Sequence, residues 1–349
     1  MTPDLPLDKS SKLTHTTPGE FITLSQGNGG THSQALIKNV IASALRQPPN
    51  LEMDAAPLPA LTGPLYMSSD SYTVQPLFFP GGSIGSLAIH GTVNDLAVAG
   101  AKARALSLAL IIEEGFPLAD LRQILSDLSA VVEQTQVQIL CGDTKVVPRG
   151  QGSGVYLNTT GIGEKILPQS LGMEHIRPGD VIVASGPIGD HGATVLMARE
   201  EFGLSSQLQS DCASVFPLVE CLSELDGLRF MRDPTRGGLA SVMYEIFQAT
   251  HLGIVLQQNH IPLRMEVRSF CEILGLEPWH LACEGRVIAV IAAQQADALL
   301  KRWQMHPLGE MAEIIGEISA KTHPPLLQTP LGGQRILPPL EDDPMPRIC

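Results

Sequence analysis

The 349-residue chain holds 36 Asp and Glu against 23 Lys and Arg, a formal net charge of -13, so a phosphate backbone meets repulsion and no nucleic-acid partner is expected. The opening MTPDLPLDKSSKLTHTTPGE lacks the basic-then-apolar pattern of a signal peptide, and no later run reaches the roughly 18 apolar residues of a membrane span. The reading is a cytoplasmic protein without membrane contact, and the length allows two domains with separate cores.

The elements follow in chain order. Gly27-Asn28-Gly29-Gly30 leads into a helix with Ser33 as N-cap and Leu36, Ile37, Val40, Ile41, Ala44 and Leu45 on one face. The stretch Pro48 to Pro64 ends it. Tyr66 to Ser69 is predicted as a short strand delivering Asp70, Ser86 to Ala99 as a helix, and Leu106 to Ile112 as a strand. After Pro117, apolar residues at Leu121, Ile124, Leu125, Leu128, Val131 and Val132 keep helical spacing over three turns. Val137 to Cys141 reads as a strand ending at Gly142-Asp143-Thr144-Lys145, and Val155 to Ile162 as the last strand of a first half.

The chain begins again near Arg177-Pro178-Gly179-Asp180, placing a domain boundary at 164 to 178. Strand Val181 to Ala184, helices His191 to Phe202 and Pro234 to Gln248, and strands Leu252 to Leu256 and Val287 to Ala292 make a second lobe. The fold class is therefore α/β or α+β, in two lobes: 1–165 and 175–320. From Lys321 to the end seven prolines predict an extended mobile tail, 321–349, without regular helix or central strand.

The six cysteines include no C-x-x-C pair, which argues against a zinc site or a disulfide framework. Five read as small buried or half-buried hydrophobes. Cys349, at the end of a proline-rich arm, gains little from packing and is placed like a carried group.

Magnesium takes hard oxygen ligands, so Asp70, Asp95 and Asp143, brought together by folding, would suit it with triphosphate oxygens completing the sphere. Taken singly, each reads first as a turn or cap residue. Asn28, Gly29 and Gly30 before a helix can wrap phosphates through backbone N–H groups, though a plain turn is the commoner use and the Lys-Ser/Thr of a P-loop is missing. Arg232-Asp233-Pro234-Thr235-Arg236-Gly237-Gly238 combines cations, a carboxylate and a glycine pair at a helix start, as a nucleotide-phosphate edge would. A capped helix with a surface ion pair fits it equally.

Lys145 and Arg149 can neutralise a transferring phosphoryl group, or be ordinary solvated cations. Glu284 interrupts an apolar stretch ahead of a strand, as a general base with a raised pKa or as a loop residue paired with Arg286. His90 shares a helix with Asp95, where a lone histidine is more often structural.

Ser68-Ser69-Asp70-Ser71, Pro76-Leu77-Phe78-Phe79-Pro80-Gly81-Gly82, Gly91-Thr92-Val93-Asn94-Asp95-Leu96-Ala97, Cys141-Gly142-Asp143-Thr144-Lys145-Val146-Val147, Asp233-Pro234-Thr235-Arg236-Gly237-Gly238-Leu239-Ala240 and the ending Pro346-Arg347-Ile348-Cys349 together resemble the HypE family of hydrogenase maturation proteins. The resemblance runs over essentially the whole chain, and Pro-Arg-Ile-Cys narrows it from the wider PurM-like aminoimidazole-ribonucleotide synthetase superfamily. It implies a two-lobed PurM-like fold and a homodimer paired through N-terminal mixed-sheet lobes, with ATP and Mg2+ bound between loops of both lobes.

It also implies that a carbamoyl group, placed on Cys349 by the carbamoyltransferase HypF, is dehydrated to a thiocyanate. The cyanide would pass to iron carried by HypC and HypD for a nickel-iron hydrogenase. By the same resemblance Asp70, Asp95 and Asp143 hold magnesium and phosphates, joined at the nucleotide by Asn28, Gly29, Gly30, Asn94, Thr144, Asp233, Arg236, Gly237 and Gly238. Lys145 polarises the transferring group, Glu284 takes the amide protons, and His90 is the fourth candidate catalytic residue beside Cys349. Family members carry a more continuous glycine run with a histidine near Gly27, where this chain has Gln26 and Asn28.

Two other readings compete. A selenophosphate synthetase-like enzyme would carry a reactive cysteine near its N-terminus, and none of the first 140 residues is Cys. A nucleotide-dependent scaffold would bind ATP without turnover and work without Cys349.

Overall fold

The computed structural model describes residues 20–51, 53, 55–199, 203–204, 206–340 and 347–349. In the first lobe Gly29 and Gly30, at φ 81° and 75°, turn the chain into α1 (Gly30–Leu36), which continues as a wider turn through Ala42. The helix thus starts three residues before Ser33, which lies inside it. Strand β1 (Leu65–Tyr72) and a hairpin of β2 (Phe78–Phe79) and β3 (Gly82–Ser83) lead to α2 (Ile84–Val98). Then come β4 (Ala101–Glu113), α3 (Leu118–Thr135), β5 (Gln138–Val147) and β6 (Val155–Lys165). The sheet order is β1-β6-β4-β5, with β4 and β5 parallel across the α3 crossover and the other pairs antiparallel.

The spacing read before α3 is realised: Leu121, Ile124, Leu125, Leu128 and Val131 are its buried face. Helix α2 is apolar nearly all round and buried nearly all round. One side lies on β1, β6, β4 and α3, and the other on α5 (Phe216–Glu220) and β8 (Leu228–Arg232) of the second lobe. A helix sandwiched between lobes needs no polar stripe.

Strand β5 corrects one expectation. Gly142 to Lys145 do not end the strand but lie within it, paired with Leu108 to Ile111 of β4. Gly142 sits against the Leu108 backbone, where a Cβ would fall 3.0 Å from the carbonyl carbon, so the glycine permits close pairing rather than a stop.

The second lobe is a seven-stranded sheet, β13-β12-β9-β11-β7-β10-β8. Its members are β7 (Asp180–Ala184), β8, β9 (Gly253–Gln257), β10 (Ile288–Ala292), β11 (Glu313–Ser319), β12 (Leu326–Gln328) and β13 (Gln334–Ile336). Helices α4 (Asp190–Ala198), α6 (Gly238–Thr250), α7 (Met265–Leu274) and α8 (Ala296–Gln304) complete it with α5. Residues 200–202 of the expected helix 191–202 lie outside the described residues.

The expected tail without central strands is also corrected. Leu326–Gln328 pairs with both β9 and β13, because Pro324 and Pro325 stop just before it and Pro330 lies in the turn that follows. Residues 341–346 lie outside the described residues, whereas Arg347 to Cys349 are packed back onto the first lobe. Among the described residues no helix is long and apolar enough to cross a membrane.

Candidate active site

The first half of the site comes from β1 and α2. Ser68 Oγ lies 2.6 Å from Asp95 Oδ2 and 3.3 Å from Asp70 Oδ2, so one hydroxyl proton serves both carboxyls. Thr92 Oγ1, one helical turn before Asp95, lies 3.4 Å from Asp70 Oδ2. From the second lobe, Asp233 follows β8. Gly237 and Gly238, at φ 74° and 58°, then fold the chain tightly into α6. A Cβ on Gly238 would sit 2.5 Å from the Trp279 carbonyl oxygen, so only glycine lets this turn settle there. The glycines shape the loop that presents Asp233, Thr235 and Arg236, and do not themselves line the cavity.

Asp70, Asp95, Asp233 and Glu284 open into one cavity of about 650 Å³, together with Thr235, Arg236 and Arg347 to Cys349. Burial, and then the charge of Asp233, push Asp95 up to about 7. Burial, with Asp70 among the nearby like charges, holds Asp233 at about 6. Glu284, 2% exposed, is raised well above the carboxylate range by burial first and then by Asp233, Asp211, Asp95 and Asp70. Its Oε1 is buried with no protein partner. Four carboxyls crowded this way attract cations, and Asp95, Asp233 and Glu284 hold protons more readily than free carboxyls do.

Glu284 is pinned through its backbone. Its N–H donates to Asp211 Oδ1 at 3.0 Å, and its carbonyl accepts from Asn94 Nδ2 at 3.0 Å. Asn94 also donates to the Ala213 carbonyl at 2.9 Å and accepts the Val215 N–H at 2.9 Å. Expected as a nucleotide ligand, Asn94 is instead a fully engaged strut between the lobes that holds the Glu284 loop. Arg286, the alternative partner for Glu284, reaches Asp211 at 3.4 Å and Asp190 at 3.7 Å.

Other expected residues lie elsewhere. His90 is 4% exposed, held neutral by burial that pushes it down to about 4, and does not line the cavity. Asp143 and Lys145 are exposed and paired with each other at 2.9 Å, while Asp143 also accepts the Thr144 N–H at 2.8 Å. Their hydrogen bonds hold the Asp143 carboxyl below its usual value. Gly27 packs on the Val146 backbone, so Asn28, Gly29 and Gly30 stand near β5 as well.

β1 and β5 are opposite edges of the four-stranded sheet, three strand spacings or roughly 14 Å apart. Asp143 therefore does not join Asp70 and Asp95 within one chain. Among the described residues no three His, Cys, Asp or Glu side chains stand close enough to hold a metal ion. Magnesium nevertheless needs only one or two carboxylates when phosphate oxygens and water complete its octahedron. The Asp70–Asp95 pair, sharing a hydroxyl proton donor, fits that donor set.

Residues that sequence spacing does not mark complete the site. Thr73, Gln75, Ser153, His191 and Arg199 hold Arg347 to Cys349 beside the carboxylates. They come from three separate segments, so no local pattern announces them. Asp211 is equally silent in the sequence. Of the five cysteines expected to be packed, Cys141 is instead exposed on β5.

Residues 53–164 match the N-terminal domain of AIR synthase related proteins, and residues 177–326 match the C-terminal domain. The chain is 42% identical over 333 residues to carbamoyl dehydratase HypE of Azotobacter vinelandii, covering 94% of this chain and 97% of the relative. A crystal structure of hydrogenase maturation protein HypE in complex with ATP superposes with a TM-score of 0.89 at 40% identity, covering 94% of this chain and 99% of that one. A HypE chain in a HypE-HypF complex gives a TM-score of 0.76 at 40% identity, covering 79% and 90%.

Proposed function

The chain belongs to the carbamoyl dehydratase HypE family, and from that premise we propose that it converts an S-carbamoyl group on Cys349 to a thiocyanate with ATP as the dehydrating reactant. The observation that carries this reading is the position of Cys349 in the same cavity as Glu284, Asp70 and Asp95. In balance, the carbamoyl oxygen bonds to the γ-phosphorus as the bond to ADP breaks. The carbon–oxygen bond then breaks and phosphate leaves with that oxygen. The nitrogen gives up two protons, one to Glu284 and one retained by phosphate, leaving S–C≡N, ADP and phosphate.

A buried carboxyl with raised proton affinity is suited to accepting a proton from the substrate. Glu284 is kept in place by Asn94 and Asp211 at its backbone, which leaves the carboxyl to the substrate. Asp70 and Asp95 would hold Mg2+, which neutralises phosphate charge when bound, and Arg236, which lines the same cavity, would meet the phosphates.

The second half of the site would come from a second copy. The sheet face opposite α2 and α3 is uncovered: Met67 is 72% exposed and Ile111 44%. A two-fold axis parallel to the strands lays β5 of one copy over β1 of the other. Lys145, Asp143, Thr144 and the Asn28 to Gly30 loop would then face the partner's cavity, and Lys145 would supply charge to the transferring phosphoryl group. HypF is the proposed carbamoyl donor, HypC and HypD with their iron the proposed acceptor, and the cytoplasm the proposed compartment.

Incubation with HypF, carbamoyl phosphate and Mg-ATP tests the reading through the mass of the C-terminal peptide. The expected product on Cys349 is one water lighter than the carbamoyl adduct. A carbamoyl adduct that persists with HypF active, or modification away from Cys349, would contradict it.

A further inference from the structure

Resting on the reading of Cys349 as the substrate carrier, we propose that the enzyme recognises its substrate as a short C-terminal peptide, Arg-Ile-Cys, through a built groove in which His191 positions the cysteine. The groove begins just past the end of β1. The Thr73 N–H donates to a terminal carboxylate oxygen of Cys349 at 3.1 Å and the Gln75 N–H to the Arg347 carbonyl at 3.0 Å. Two backbone donors two residues apart thus meet two backbone acceptors two residues apart, with the chains running oppositely. Those bonds are blind to side chains.

The Arg347 and Ile348 side chains are read separately, and His191 adds a bond to the tail's backbone. Arg347 donates from Nε to the Thr73 carbonyl at 2.9 Å and from Nη1 to Ser153 Oγ at 2.6 Å, and its guanidinium lies 5.8 Å from the Tyr156 ring centre. Ile348 is 5% exposed and joins the apolar core of the first lobe. The Ile348 carbonyl faces His191 Nε2 at 2.9 Å. A carbonyl only accepts, so Nε2 carries the proton and Nδ1 accepts from Ser210 Oγ at 2.8 Å. Ser210 Oγ also accepts the Cys212 N–H at 3.0 Å on a lone pair, which leaves its own proton for the ring.

His191 is fully buried, with Phe79 packed edge-on at 5.3 Å, and burial holds its pKa down, so it works as a neutral, single-tautomer donor. Arg199 ties the two sides together, donating to the Gln75 carbonyl at 3.0 Å and the Arg347 carbonyl at 3.1 Å. Arg347 is held at φ 60°, a region unfavourable for arginine, which the surrounding bonds must maintain. Every one of these contacts is made by residues 347–349 themselves. Recognition therefore does not require the peptide to be joined to this chain, and an S-carbamoyl peptide ending Arg-Ile-Cys is a substrate in trans.

The full chain with Arg347→Ala and Cys349→Ala, whose own tail is weakened and cannot be loaded, is given a synthetic S-carbamoyl peptide ending Pro-Arg-Ile-Cys and Mg-ATP, and peptide thiocyanate is measured. Turnover is expected. Peptides with Ala for Arg or Asp for Ile should lose about tenfold or more in kcat/KM, mainly through KM. His191→Gln in the same chain retains a donor near Nε2 and should keep most of the rate, whereas His191→Leu should lower kcat as well as raise KM.

Thermal unfolding is followed for each variant, and the peptide series needs no change at His191, so an unstable variant does not remove the test. No peptide turnover while the wild-type chain converts its own Cys349 would overturn the proposal, as would indifference to the Arg and Ile changes. Failure of the wild-type chain to convert Cys349 would instead overturn the reading beneath it.

Discussion

The two edges of the first sheet present opposite physics. At the β1 edge, Asp70 and Asp95 are crowded with Asp233 and Glu284 in a partly desolvated cavity that already holds Arg347 to Cys349. At the β5 edge, Asp143 and Lys145 lie open to solvent and satisfy one another. The first edge carries repulsion that only a cation or protons relieve; the second carries almost none, since exposed ion pairs contribute about 0–1 kcal/mol. The lesson is that one chain holds a tense edge and a relaxed edge, and on the proposed reading the relaxed one would become functional by meeting a second copy.

The largest effect expected is at the buried edge. Glu284→Gln keeps the shape and the backbone struts but removes the base, and should slow thiocyanate formation about 10²–10⁴-fold. ATP binding, measured by calorimetry, should survive. Equal loss of binding would mean that Glu284 is structural. At the open edge Lys145→Ala should cost less, about 10²-fold in rate, with the unfolding midpoint almost unmoved because the residue is exposed. A large fall in stability there would erase the contrast between the edges.

The smallest effect is on stability against pH. Asp95 titrates near 7 folded but at an ordinary carboxylate value unfolded, so between about pH 4 and 7 the folded chain holds a proton that the unfolded chain has lost. Stability without metal should therefore fall as pH rises through this window and level off above it. Asp95→Asn removes the penalty and should raise the unfolding midpoint at pH 8 by about 2–4 °C, with little change near pH 4. A midpoint that rises with pH in the wild type, or an Asp95→Asn chain less stable at pH 8, would show that the crowding is not felt.

Much of this was legible before the structure. The apolar spacing of α3 follows from local periodicity, Asp70, Asp95 and Asp233 enter through the loop motifs that hold them, and Glu284 through the apolar stretch it interrupts. What local pattern misassigns is decided across the fold. Gly142 and Asp143 read as a strand end because both disfavour strands, yet parallel pairing with β4 carries β5 past them. Asn94 reads as a ligand, but its amide is consumed by the backbone of a loop some 190 residues away. His191, Ser153 and Thr73 acquire meaning only when the last three residues settle on them. Asp70 and Asp143, expected to converge with Asp95, stand on opposite edges of the sheet, and spacing along the chain carries no information about which edge.

The most direct test of the divided site is complementation between two inactive chains. Glu284→Gln, defective at the β1-side cavity, and Lys145→Ala, defective at the β5 edge, are unfolded, mixed in equal amounts and refolded together, then assayed for thiocyanate on Cys349. If each site takes one edge from each copy, half of the dimers are mixed and each has one intact site, so about a quarter of the wild-type activity should return. Activity no higher than the average of the two parents would place both edges in the same chain's site and contradict the account.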